Sequence, residues 1–124
     1  MRDHIPGVWI IDAEARTLYA SVAMAEILGT DVSAMLGSHS FDYLYPEDLQ
    51  AAEQLFNDKQ KGDPRPFHFR LKRADGSPVW VAVQGTPMND AAGNFIGIVG
   101  TFSVAEDQHD TASETRDSAQ GVSR

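Results

Sequence analysis

Phe67-His68-Phe69-Arg70-Leu71-Lys72-Arg73-Ala74-Asp75-Gly76-Ser77-Pro78-Val79-Trp80-Val81-Ala82-Val83-Gln84 is the stretch that decides the fold. Residues 67–73 alternate strictly, with Phe67, Phe69 and Leu71 on one side and His68, Arg70 and Lys72 on the other. Residues 79–84 alternate too, Val79, Val81 and Val83 against Trp80, Ala82 and Gln84. Period-two alternation across a turn former is the mark of a half-buried hairpin. A two-residue Asp75-Gly76 loop would pair Leu71 with Trp80 and set the valines beside Arg70. A three-residue loop, with Gly76 left-handed in a bulge, pairs Leu71 with Val79 and Phe69 with Val81. Only this register collects all six purely apolar side chains on one face, and the buried face sets the register. It leaves Trp80 opposite Arg70 on the outer face, where indole and guanidinium can stack and a partner can dock.

The rest of the chain supplies the other layers. On the C-terminal side, the turn residues of 89–94 (NDAAGN) lead to a last strand over 95–104, whose Gly97 and Gly100 permit close approach of backbone or ligand. On the N-terminal side, Pro46 opens the longest helix, Glu47 and Asp48 complement its positive end, and Gly62 stops it. Leu49, Ala52 and Phe56 form its apolar stripe, and Lys59 and Lys61 stand at its far end. Short helices precede it: 22–28 between Ser21 and Gly29, 32–36 between Asp31 and Gly37, and turns through Phe41, Tyr43 and Leu44. Residues 7–12 (GVWIID) and 17–20 form an opening strand pair. Residues 105–124 have almost no large apolar side chains and no heptad pattern, so they read as a disordered polar tail or linker.

Composition narrows the function classes. The chain has 124 residues, 42% of them hydrophobic, which is enough for one domain with a real core. It has no cysteine, which excludes disulfides, thiolate catalysis and Cys-ligated zinc, and fits a cytoplasmic protein. A net charge of −8 argues against nucleic acid as a partner. Apolar runs such as 8–11 are far too short for a membrane span, and residues 1–6 lack the apolar stretch of a signal peptide.

Catalytic and metal chemistry finds no constellation. Of the four histidines, His4, His39, His68 and His109, His39 could share a metal with Asp42 on one helical turn, but no third ligand stands at a recognisable spacing, so His39 reads as a surface residue. Ser38-His39-Ser40 is no nucleophile arrangement, and the glycines match neither the phosphate loop nor the dinucleotide fingerprint. The expectation is a domain without catalytic activity of its own.

The order of elements is two strands, short helices, one longer helix, then three antiparallel strands. Within that order, Ser21…Glu26-Ile27-Leu28-Gly29, Leu36-Gly37, Tyr45-Pro46-Glu47-Asp48, Phe69-Arg70…Arg73-Ala74-Asp75-Gly76-Ser77…Trp80-Val81 and Gly97-Ile98-Val99-Gly100 together resemble the PAS family over residues 7–106. The resemblance implies an α+β fold: a five-stranded antiparallel sheet in the order 2-1-5-4-3 with helices over one face. It implies a sensory or relay module of a histidine kinase or cyclic-dinucleotide signalling protein, acting on an effector domain or partner protein. A ligand-free module for homodimerisation or protein interaction is the alternative. The family often closes on Asp-Ile-Thr-Glu; here Ser103-Val104-Ala105-Glu106 keeps only the glutamate.

Cofactor expectations follow from the same resemblance. The flavin-photochemistry type needs a cysteine that this chain lacks, and residues 46–62 carry no histidine for haem ligation. Haem is therefore disfavoured, and so is non-covalent flavin, because Trp9, Trp80 and the other aromatics of a small domain are more often core; an unidentified small molecule stands as a candidate ligand and no cofactor is assigned. Because the family often keeps space between sheet and helices, Phe69, Leu71, Val81 and Val83 are candidate lining residues. Met24, Leu28, Met35, Tyr43 and Phe56 are candidates for the opposing wall.

Overall fold

The computed structural model describes residues 5–105; the expected polar tail, Glu106, His4 and His109 lie outside them. Strands β1 (Gly7–Asp12) and β2 (Thr17–Ala20) are followed by helices α1 (Val22–Leu28) and α2 (Val32–Met35). A 3-10 turn at Ser40–Tyr43 and another at Pro46–Asp48 lead into α3 (Leu49–Gln60). Strands β3 (Phe67–Lys72), β4 (Pro78–Asn89) and β5 (Phe95–Val104) follow as the last elements among the described residues. All five strands form one antiparallel sheet in the order β2-β1-β5-β4-β3.

Local chemistry punctuates the helices. The Ser21 hydroxyl accepts from the Met24 amide at the start of α1, and Gly29 closes that helix at φ 69°. The Asp31 carboxylate accepts from the Ala34 amide at the start of α2. That bond lowers its pKa, aided by the Ser33 hydroxyl. Pro46 opens a 3-10 turn, not the α-helix itself, and α3 proper begins at Leu49.

The β3–β4 hairpin has the three-residue register. Phe69 faces Val81, Leu71 faces Val79 and Arg70 faces Trp80. Arg73 and Ser77 close the loop through Arg73 N–H to Ser77 O at 2.8 Å, and Gly76 sits at φ 91°. The expected stack of Arg70 on Trp80 does not form. β3 is an edge strand, so the guanidinium reaches round the free edge to lie 4.5 Å from the Tyr45 ring centroid. There it bonds Asp48 at 2.9 Å and Glu47 at 3.2 Å. Burial pulls the Arg70 pKa down, but Asp48 and Glu47 outweigh it and the net shift is upward. The two acids read as helix-start residues thus also tie the 3-10 turn to the sheet edge.

β4 is longer than the alternation of 79–84 suggested. Beyond Val83 it keeps β5 as neighbour while β3 falls away, so the extension has one open edge where Pro87 is tolerated.

Candidate functional site

The hollow in this protein comes from side chains that are absent. Antiparallel register sets Trp9 beside Gly100 and Gly100 beside Gly85, so the central row of the inner face carries one indole and two glycines. Neighbouring rows are full: Val83 and Phe102 stand side by side, as do Ile11 and Ile98. The Phe102 ring leans over Gly100, where a Cβ would lie 2.7 Å from it. A Cβ at Gly85 would meet the Lys59 methylenes at 3.5 Å. Above this floor, α3 contributes Ala52, Leu55, Phe56 and Lys59, and the turn around Ser40–Tyr43 contributes Ser40, Phe41 and then Leu44. β3 closes one side with Phe67, Phe69 and Leu71. The cavity, partly open to the surface, measures about 130 Å³.

Its polar groups are few and mostly occupied. The Trp9 indole N–H donates to Thr17 Oγ1 at 2.9 Å. Lys59, only 4% exposed, donates from Nζ to the carbonyl oxygens of Asp63 (2.9 Å) and Arg65 (2.6 Å). Its ammonium also lies 5.4 Å from the centroid of Phe67. Lysine here lines the space with methylenes and keeps its charge on the 63–65 loop, the snorkelling habit of long cationic side chains. That loop is further pinned by the Asp63–Arg65 ion pair, whose hydrogen bonds hold the Asp63 carboxyl well below the usual range.

Of the nine residues the sequence marked as lining, the structure brings Phe56, Phe69, Leu71 and Val83 together at this cavity. Met24, Leu28, Met35 and Val81 are fully buried in the close-packed core and do not border the cavity. Tyr43 sets its edge against the Trp9 ring, with centroids 5.6 Å apart. The sequence reading missed Trp9, Ile11, Leu55, Lys59 and Phe102 as lining residues. A signal existed for Lys59: it follows Ala52 and Phe56 at the same helical spacing.

The opposite face of the sheet is a separate surface. There Tyr19, Ile10, Val99 and Thr86 form one row across four strands, and Trp80 stands 41% exposed. Among the described residues no three His, Asp or Glu side chains converge as a metal site, and no helix is long and apolar enough to cross a membrane.

Comparison with known proteins places these features in a family context. A family profile described as the PAS fold matches residues 2–105. The C4-dicarboxylate transport sensor protein DctS of Rhodobacter capsulatus is 31% identical over 100 residues, covering 77% of this chain and 15% of DctS. The chain spans only 11–15% of the curated relatives that it matches. Among solved structures, the PAS domain of a Colwellia psychrerythraea protein superposes with a TM-score of 0.75 at 12% identity, covering 81% of this chain and 86% of that one. A sensory box histidine kinase/response regulator from Burkholderia thailandensis E264 gives 0.63 at 18% identity, with 80% and 76% covered.

Proposed function

This chain belongs to the PAS family, and on that footing we propose that it is a sensory module of a larger signalling protein, a histidine kinase or a cyclic-dinucleotide signalling protein. In this reading a small ligand occupies the cavity between α3 and the sheet, and an effector domain or partner reads the result. The domain itself performs no catalysis. The observation that carries the proposal is the Trp9–Gly100–Gly85 row, which leaves about 130 Å³ open beneath α3. Similarity to a protein named as a sensor supports the same reading.

The route from ligand to effector runs along β5. Gly100 and Phe102 floor the cavity, and the same strand ends at Val104, where the Ala105 amide donates to the Trp80 carbonyl at 2.8 Å. A ligand that favours one setting of Phe102 favours one position of that strand end, a shift of populations between arrangements. Native mass spectrometry of freshly purified protein beside its denatured mass tests the reading. Excess mass in the native spectrum is the expected result.

A second reading rests on the outer face, where exposed Trp80 and the Tyr19–Ile10–Val99 row present apolar surface away from the cavity. It makes the domain a ligand-free homodimerisation module. A bare dimer mass, with Trp80 emission that changes on dilution, would overturn the ligand reading in its favour.

A further inference from the structure

We propose that the cavity takes a small uncharged aromatic molecule about the size of one six-membered ring; this rests on the ligand-binding reading above. Volume is the first argument. At about 130 Å³ the space falls well below the roughly 300 Å³ at which pockets for drug-sized ligands begin. It is close to the apolar cavity of about 150 Å³ known to stay dry and accept benzene. A tricyclic flavin or a haem does not fit without moving α3.

The lining supplies the second argument. Trp9, Phe41, Phe56, Phe67, Phe69 and Phe102 border the space, and such rings favour edge-to-face or offset contact with another ring. The wall already contains one such contact, since the Phe67 and Phe69 rings meet edge to face with centroids 6.4 Å apart at 85°.

Charge is the third. An ionised carboxylate leaving water needs a partner, and Lys59, the cation among the described lining residues, is engaged elsewhere. Lys59 directs its Nζ to the Asp63 and Arg65 carbonyls while its methylenes border the space beside Gly85. The Trp9 indole N–H is taken by Thr17. Ser40 is left to address at most one neutral polar atom on the ligand.

The test titrates fluorobenzene and 4-fluorobenzoate into the W80F variant of the chain, followed by Trp9 emission, ligand ¹⁹F signals and the backbone amides of Gly85 and Gly100. Fluorobenzene should saturate, shift both glycine amides and Trp9, and bind at least tenfold more tightly than 4-fluorobenzoate. The Ala52→Leu variant, with an unchanged far-ultraviolet spectrum, should lose at least tenfold in fluorobenzene affinity. Equal or tighter binding of 4-fluorobenzoate at the same amides, abolished by Lys59→Met, would overturn the uncharged class and leave the ligand-binding cavity standing. No response of either glycine to either probe would overturn the aromatic class, while the ligand-binding reading itself falls only on a bare protein mass in the native spectrum.

Discussion

Lys59 shows how one side chain can serve packing and polarity together. Its methylenes cover the cavity wall, while its ammonium satisfies two loop carbonyls at 2.9 and 2.6 Å. Lys59→Met keeps the apolar stem and removes the donor, so the 63–65 carbonyls lose their partner. Destabilisation of about 1–3 kcal/mol is expected, read as a lower urea midpoint with an unchanged slope. Gly97 is constrained from the other direction: a Cβ there would collide with the Ile11 carbonyl oxygen across the β1–β5 pair and meet Met88 Cε at 2.9 Å. Gly97→Ala should therefore cost about 1–3 kcal/mol, because the strand pair and Met88 both have to shift. The close approach at Gly97 was legible as a glycine within a strand. The burial of Lys59 was not, because a lysine near a helix C-terminus is fully accounted for by the dipole and gives no hint that a following loop will turn back to meet it.

The β3–β4 hairpin carried most of what could be read in advance, because alternation and a single buried face select one of the two registers that Asp75-Gly76 allows. Gly76 at φ 91° has open space around a would-be Cβ, so Gly76→Ala tests backbone conformation alone, with an expected loss of roughly 1–2 kcal/mol in chemical denaturation. The turn carboxylates make a pH prediction with a definite sign. The Ser77 hydroxyl and amide lower the Asp75 pKa, and the Asn94 amide and side chain, with the Ala92 amide, lower that of Asp90. A carboxylate whose pKa is lower folded than unfolded adds stability above its unfolded pKa, near 3.9, and loses it as pH falls through the folded value. Thermal stability should thus drop below about pH 4, and Asp75→Asn combined with Asp90→Asn should flatten that acid limb while leaving the protein less stable at pH 7. The far half of β4 escaped notice for an equally physical reason. Gly85 and Pro87 resemble a strand end, and only the third strand, β5, shows that the pairing continues through Pro87 to Asn89.

At the scale of the whole molecule, the sheet divides two tryptophans between two surfaces. Trp9 faces the cavity under α3, and Trp80 faces outward. The order of strands and the layer of helices were legible in the sequence, but the position of the hollow was not. It depends on Gly85 and Gly100 becoming neighbours through pairing of strands that alternation alone does not align. An unfilled hollow has an energetic signature. At about 24 cal/mol per Å³ for a closed void, about 130 Å³ sets an upper bound on the order of 3 kcal/mol for this partly open space. A sequence free to maximise stability would fill it. Ala52 is buried on α3 at the cavity wall, so Ala52→Leu places three more carbons into the space. If the void is kept for a ligand, this variant should be more stable than the parent by about 1–2 kcal/mol in urea unfolding, as cavity-filling substitutions commonly are, while losing the ligand response. A destabilised Ala52→Leu protein would instead mean that the wall is already close-packed around Ala52, and that the void is not held open at this position.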